Sequence, residues 1–188
     1  GLERGTPVPS DIALIGMGRL GGEECGYGTD ADLIVVHAPH EGTEEPEALQ
    51  AVTAVMLELR KLVGGAGPDP ALEVDLDLRP EGKAGPVART IEGYAGYYRR
   101  WSVTWESQAL VRARTVAGDG ALGERFIALI DPMRYPEGGL EPSAVKEIRR
   151  LKARMESERL PRGADPKRHF KLGRGGLTDI EWTVQLLQ

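Results

Sequence analysis

A glycine-rich run, Gly16-Met-Gly-Arg-Leu-Gly-Gly22, separates two short apolar segments, and the second opens with Asp30-Ala-Asp32. This arrangement restricts the fold more than any other feature. Residues 12–15 (Ile-Ala-Leu-Ile) read as a buried strand ended by glycine. Residues 32–37 (Asp-Leu-Ile-Val-Val-His) read as a β-branched strand. Between them, Gly16, Gly18, Gly21, Gly22, Gly26 and Gly28 leave little room for a stable helix. On an extended strand residues i and i+2 share a face, so Asp30 and Asp32 converge on one site. Two carboxylates beside a flexible backbone loop suit a hard divalent cation that carries a phosphate chain.

The rest of the chain alternates helical and extended patterns. Residues 47–63 place Ala48, Val52, Val55, Leu59 and Leu62 on one helical face, and Gly64-Gly65 ends it. Residues 72–79 alternate, with Leu72, Val74, Leu76 and Leu78 on one side and Glu73, Asp75, Asp77 and Arg79 on the other. That pattern predicts a strand stopped by Pro80. Residues 90–117 are predicted mostly helical, with Trp101 and Trp105 one turn apart, and residues 121–130 form a short helix. Pro132, Pro136 and Gly138-Gly139 mark a boundary. A charged helix follows over 142–160, with Pro142 in its first turn. A last helix begins at Thr178.

The second strand supplies a third carboxylate, Asp75, mid-strand, where aspartate is disfavoured. Three oxygen ligands from adjacent strands suit Mg²⁺ or Mn²⁺. Unpaired, they repel one another, and a bound cation removes that cost. Asp77 shares their face and is ambiguous, since it can pair with Arg79 instead. The glycine run, with Gly18, Gly21 and Gly22, is placed to hold phosphate through backbone N–H groups, and Arg19 within it can reach a phosphate oxygen. The run also fits G-x-G-x-x-G, but the dinucleotide context fails. The later glycines break the helix that should open there, and Asp32 starts the next strand instead of ending it. No Gly-Lys-Ser/Thr follows, so the Walker motif is absent as well.

Composition narrows the class. Acids outnumber bases, 29 to 24, for a net charge of −5. That argues against a general nucleic-acid binder. The single cysteine, Cys25, cannot form an internal disulfide and fits a reducing cytoplasm. No segment is long and apolar enough to span a membrane. The chain of 188 residues lacks an initial Met and stops inside a helical pattern, and so reads as a piece of a longer protein.

Several motifs together resemble a known family. Gly16-x-Gly-Arg-Leu-Gly-Gly22 and Tyr27-x-Thr-Asp-x-Asp-Leu-Ile34 are followed by Glu73-Val-Asp75-x-x-Leu-Arg-Pro80-x-Gly82. Thr104-Trp-Glu-x-Gln-Ala-Leu-Val-Arg-Ala-Arg114 and Lys171-Leu-Gly-x-Gly-Gly-Leu-Thr-Asp-Ile-Glu181 complete the set. Across residues 12 to 188 the chain is similar to the glutamine synthetase adenylyltransferases, bifunctional bacterial enzymes of the polymerase-β-like nucleotidyltransferase superfamily. The resemblance implies an α+β fold: a catalytic core over residues 1–135 with a small mixed or antiparallel sheet and flanking helices. Residues 136–188 would begin a helical bundle. It implies AMP transfer from ATP to a tyrosine hydroxyl of glutamine synthetase, with Mg²⁺ or Mn²⁺ on Asp30, Asp32 and Asp75. The deadenylylating half of the same enzymes is the alternative, and a nucleotide-sensing module without turnover is another. PII signalling proteins and glutamine would regulate the whole enzyme. Thr29 and Arg79 fall inside these motifs and join the expected nucleotide contacts. Many relatives carry a basic residue where this chain has Asp77, and Arg79 could replace its contact.

Other residues are weaker candidates. Glu106, Arg112 and Arg114 lie on one predicted helix, and Arg112 could offset phosphate charge. Lys171 and Arg174 flank a second glycine loop leading into a helix N-terminus, which attracts anions. Thr178-Asp-Ile-Glu181 also reads as an ordinary capping box. Trp101, Trp105 and Trp182 read as core, His37 as a strand-end residue, and Cys25 as inert.

Overall fold

The computed structural model describes residues 7–187. The chain divides into two compact units. Residues through Ser102 together with Arg112–Asp131 form the first, and Val103–Val111 with the residues from Pro132 onward form the second.

The first unit is built on a small mixed sheet. β1 (Ser10–Gly16) runs antiparallel to β2 (Ala31–Pro39), with Ser10 opposite Pro39 and Gly16 opposite Leu33. β5 (Arg114–Gly118) lies antiparallel on the other side of β1, with a register shift between Leu14 and Ile15. The free edge of β2 receives two short parallel strands, one beyond the other. β3 (Val74–Asp75) pairs at Ala31 and Asp32, and β4 (Ala88–Arg89) pairs at Val35 and Val36. The strand order is β3-β2-β1-β5, with β4 also beside β2. This is the predicted α+β class with a small mixed sheet.

Residues 33–37 of β2 are all buried. A strand covered on both faces reads as a continuous apolar run, which is why this segment carries no alternation. Leu33 and Val35 share a cluster with Val52 and Met56 of α2 (Glu45–Gly64) and with Val74, Leu76 and Ala88. Tyr94 of α3 (Ile91–Trp101) donates its hydroxyl to the Val35 carbonyl at 3.0 Å. Its ring meets Phe126 of α5 (Gly120–Arg134) edge-on at 5.0 Å between centroids. Thr90 caps α3 by accepting from the Gly93 N–H at 3.1 Å.

The structure corrects several sequence expectations. The alternating segment 72–79 is a strand only at Val74–Asp75. Val74 and Leu76 still bury, but the chain then turns, with the Arg79 N–H on the Leu76 carbonyl at 3.2 Å. The next stretch of the β2 edge is taken by β4, which leaves a longer β3 no partner there. The predicted helix over 90–117 breaks into α3, α4 (Thr104–Leu110) and strand β5. Thr115 and Val116 are β-branched and favour the strand that pairs with β1. Trp101 is 68% exposed and Trp105 38%, so neither is core; Tyr94 and Tyr98 take the buried places on α3. On α2 the buried face is Ala48, Val52 and Met56, while Val55 and Leu62 face solvent. The glycine loop holds one turn of helix, α1 (Gly18–Gly21), and α5 continues through Pro132.

The second unit contains α4, α6 (Pro142–Glu158) and α7 (Leu177–Leu187). Gln108 donates to Gln185 at 2.8 Å, and the Thr104 hydroxyl donates to Glu147. Lys152 bridges Glu156 and Asp179. Glu106, buried, accepts from the Val103 N–H at 3.0 Å and closes the start of α4. Among the described residues no helix is long and apolar enough to cross a membrane.

His37 sits inside the first unit, 1% exposed, with Nδ1 3.4 Å from the Ser10 hydroxyl and Nε2 without a hydrogen-bond partner among the described residues. Burial lowers its pKa below the ordinary 6.5, partly opposed by the Glu45 carboxylate. The unfolded chain therefore binds this proton more readily, and stability falls as pH drops below 6.5. Urea midpoints measured at about pH 7.5 and about pH 5.5 should show that decline, and His37→Asn should flatten it. Met56→Ala should destabilise the first unit by about 2–5 kcal/mol through the cavity it leaves, read as a lower urea midpoint at constant slope.

Candidate active site

Parallel pairing of β3 with β2 sets Asp75 opposite Asp32. Asp30 lies two residues earlier, just outside the strand. One carboxylate oxygen from each of the three lies within 4.8 Å of the others. Asp30 is exposed, and Asp32 and Asp75 are half-buried. The surrounding backbone fixes them. The Met17 N–H donates to the Asp32 carbonyl at 2.9 Å, and the Ala31 N–H to the Glu73 carbonyl at 2.7 Å. The Asp77 N–H donates to Asp75 Oδ1 at 2.6 Å, which orients that carboxylate. Asp77 itself stands apart from this group, 3.3 Å from Lys83 and 3.7 Å from Arg79.

The donor set fits a hard divalent cation. Oxygens on opposite sides of one Mg²⁺ lie about 4.2 Å apart, given bonds of about 2.1 Å. Neighbouring ligands lie about 3.0 Å apart, so the three oxygens, within 4.8 Å of one another, would draw inward to share one ion. All three ligands are carboxylates, the chemistry such ions select.

The glycine loop packs directly on this cluster. Gly18 has φ +50°, and a Cβ there would lie 2.5 Å from Asp32 Oδ2. Glycine is required twice over, by conformation and by space. Gly21 is equally constrained from the other side, since a Cβ would lie 2.0 Å from the Arg112 carbonyl. Gly22 lies against the Arg112 side chain. The loop is therefore clamped between β2 and the start of β5. Arg19 projects from α1 and is half-buried. Thr29 Oγ1 accepts from the Gly26 N–H at 3.2 Å and closes the turn before Asp30.

Two arginines clamp the loop further. Arg112 pairs with Glu24 at 2.7 Å, and Arg114 pairs with Glu23 at 3.3 Å while donating to the Gly21 carbonyl at 3.2 Å. The sequence places both arginines on a helix; they stand instead in the turn after α4 and at the head of β5. Glu23 and Glu24 were not singled out from sequence, although the pairing of Glu-Glu with Arg-Ala-Arg is a legible charge complement. Arg79 is buried, and its guanidinium donates to the carbonyls of Leu76 at 2.7 Å and Gly85 at 3.3 Å. It braces the loop after Asp75, a role the sequence does not suggest. Lys171 belongs to the second unit, in the turn before α7, where its carbonyl accepts from the Thr178 N–H at 3.1 Å. Thr178 does not form the predicted box: its hydroxyl donates to the same carbonyl, and Asp179 accepts from the Gly175 N–H at 2.6 Å.

A five-stranded mixed sheet flanked by helices, with paired acids opening its central strand, is a nucleotidyltransferase core. The family model described as glutamate-ammonia ligase adenylyltransferase matches residues 2–128, and the chain belongs to that family. It is 63% identical over 184 residues to the bifunctional glutamine synthetase adenylyltransferase/adenylyl-removing enzyme of Streptomyces avermitilis, covering 98% of this chain and 18% of that protein. The proteins of the same name from Mycolicibacterium smegmatis and Mycobacterium tuberculosis are 60% and 57% identical, each over 181 residues, 96% of this chain and 18% of theirs. The chain thus spans about a fifth of the length of these relatives.

Gly18→Ala should crowd the Asp32 carboxylate. Mn²⁺ affinity, titrated by paramagnetic resonance, should fall at least about tenfold, while the cost to folding stays near about 1 kcal/mol. Gly21→Ala should act the other way round, with its main cost in stability, about 1–3 kcal/mol, because it meets backbone.

Proposed function

We propose that this chain is a catalytic module that transfers AMP from ATP to a tyrosine hydroxyl of glutamine synthetase, releasing pyrophosphate. The convergence of Asp30, Asp32 and Asp75 beneath the glycine loop carries this reading. The names of the relatives supply the acceptor. Regulation by glutamine and PII signalling proteins belongs to the same proposal for the whole enzyme.

Asp30, Asp32 and Asp75 would hold Mg²⁺ or Mn²⁺. The ion would neutralise phosphate charge and polarise the α-phosphorus toward attack. The chain's own residues do the positioning. Gly18, Gly21 and Gly22 let the loop backbone come close to the triphosphate. Arg19 and Arg112 supply positive charge beside it, and Thr29 fixes the turn that aims Asp30. Asp75, oriented by the Asp77 N–H, accepts the proton of the attacking hydroxyl. Lys171 is proposed as a further phosphate contact. Little covalent work falls to the protein, so orientation and charge complementarity set the rate.

Phosphorolytic removal of AMP, in which orthophosphate attacks the α-phosphorus, the tyrosine hydroxyl leaves and ADP is released, is the alternative reading. The Trp105-Glu-x-Gln-Ala-Leu-x-Arg-Ala-Arg114 and Thr178-Asp-Ile-Glu181 forms favour attachment. In the full-length enzyme, Asp30→Asn and Asp32→Asn should each lower AMP incorporation into glutamine synthetase by at least about 10²-fold, measured with labelled ATP. Incorporation and orthophosphate-dependent ADP release both at the wild-type rate in the double variant would end the metal assignment. Orthophosphate-dependent release of ADP that is lost in these variants, with incorporation intact, would assign the chain to removal.

A further inference from the structure

Away from the acids, the first unit carries an open cleft of about 650 Å³ between β4 and α3. Its charge is opposite to that of the chain. Arg89, Arg99 and Arg100 line it against one carboxylate, Glu81, in a protein of net charge −5. Arg89 bonds to Glu81, lies over the Tyr97 ring at 5.7 Å, and keeps a buried Nε without a hydrogen-bond partner among the described residues.

The floor and rim are equally unusual. Gly96 lies in the interior of α3, where glycine is disfavoured. A Cβ there would meet nothing within 4 Å, so packing inside the unit does not demand it. Its effect is to leave the helix bare beside Tyr97, where it lines the cleft. Tyr97 and Trp101 are one helical turn apart, and Trp101 is 68% exposed. Aromatic rings and arginines around a bare floor are the composition of protein-docking surfaces.

The cleft also lies in line with the acids. Arg89 is the register partner of Val36, four residues along β2 from Asp32, which is about 13 Å at about 3.3 Å per residue. A chain seated in the cleft has that short distance to cover before a side chain reaches the metal site. The guanidinium groups come from a strand and from the last turn of a helix. Three arginines against one carboxylate offer more positive charge than a single acidic group needs, which suits a segment carrying several carboxylates.

We propose that this cleft docks an acidic segment of the acceptor protein, its carboxylates on Arg89, Arg99 and Arg100 and one side chain laid on Gly96 beside Tyr97. The inference rests on the transfer reading above and names how its acceptor is held. The test uses the full-length enzyme and glutamine synthetase. Association is measured by biolayer interferometry without ATP, and the KM for each substrate is measured separately. The double variant Arg99→Glu with Arg100→Glu should weaken association and raise the acceptor KM by at least about tenfold, with the ATP KM within about twofold. Gly96→Leu should do the same while leaving the thermal midpoint unchanged or higher, since leucine favours the helix. Acceptor affinity within about twofold of wild type in both variants would overturn the proposal, as would failure of the wild-type enzyme to associate. The Asp30 and Asp32 variants report on the chemistry separately, because they should abolish transfer and leave association intact.

Discussion

Two residues of parallel pairing between β3 and the start of β2 hold the site together. Without that pairing Asp75 has no fixed relation to Asp32, and three carboxylates that repel one another have no reason to stay close. Backbone hydrogen bonds on both sides of Asp32 oppose that repulsion. The bond from the Met17 N–H ties it to the glycine loop, and the bond from the Ala31 N–H to Glu73 ties its strand to β3. The acids are thus set in place by main chain, which side-chain motion cannot relax, and their remaining mutual repulsion favours a cation.

The glycine loop follows from the same geometry. It has to pass within contact of Asp32 and under the head of β5. Gly18 solves the first problem and Gly21 the second. The ion pairs of Arg112 and Arg114 with Glu24 and Glu23 then hold the loop from outside. They are partly exposed and add modestly to stability. Their larger effect is to fix the glycine loop and to keep two arginines beside it. Arg79 does for the loop after Asp75 what these pairs do for the glycine loop, with carbonyls as partners instead of carboxylates.

Much of this was legible in the chain. The acids, the loop and strands β1 and β2 follow from local pattern: glycine spacing, β-branched content and the i, i+2 rule. The pattern misleads where tertiary partners decide. Residues 72–79 alternate like a full strand, yet only two residues find a partner on β2. Residues 114–118 sit in a helical context, yet β1 offers them an edge. Trp101 looks like core by residue type, yet Tyr94 and Tyr98 already fill the buried face of α3.

The sequence by itself determined which groups could bind a cation and which backbone could approach a phosphate, because residue chemistry and i, i+2 spacing are local properties. It also determined the family, through motifs dispersed over most of the chain. Only the tertiary structure decided that Asp75 meets Asp32, that Arg79 serves a loop, and that Arg112 and Arg114 flank the glycines. The first and the last of these depend on strand pairing between segments about forty to a hundred residues apart, and no local pattern encodes a register between distant segments.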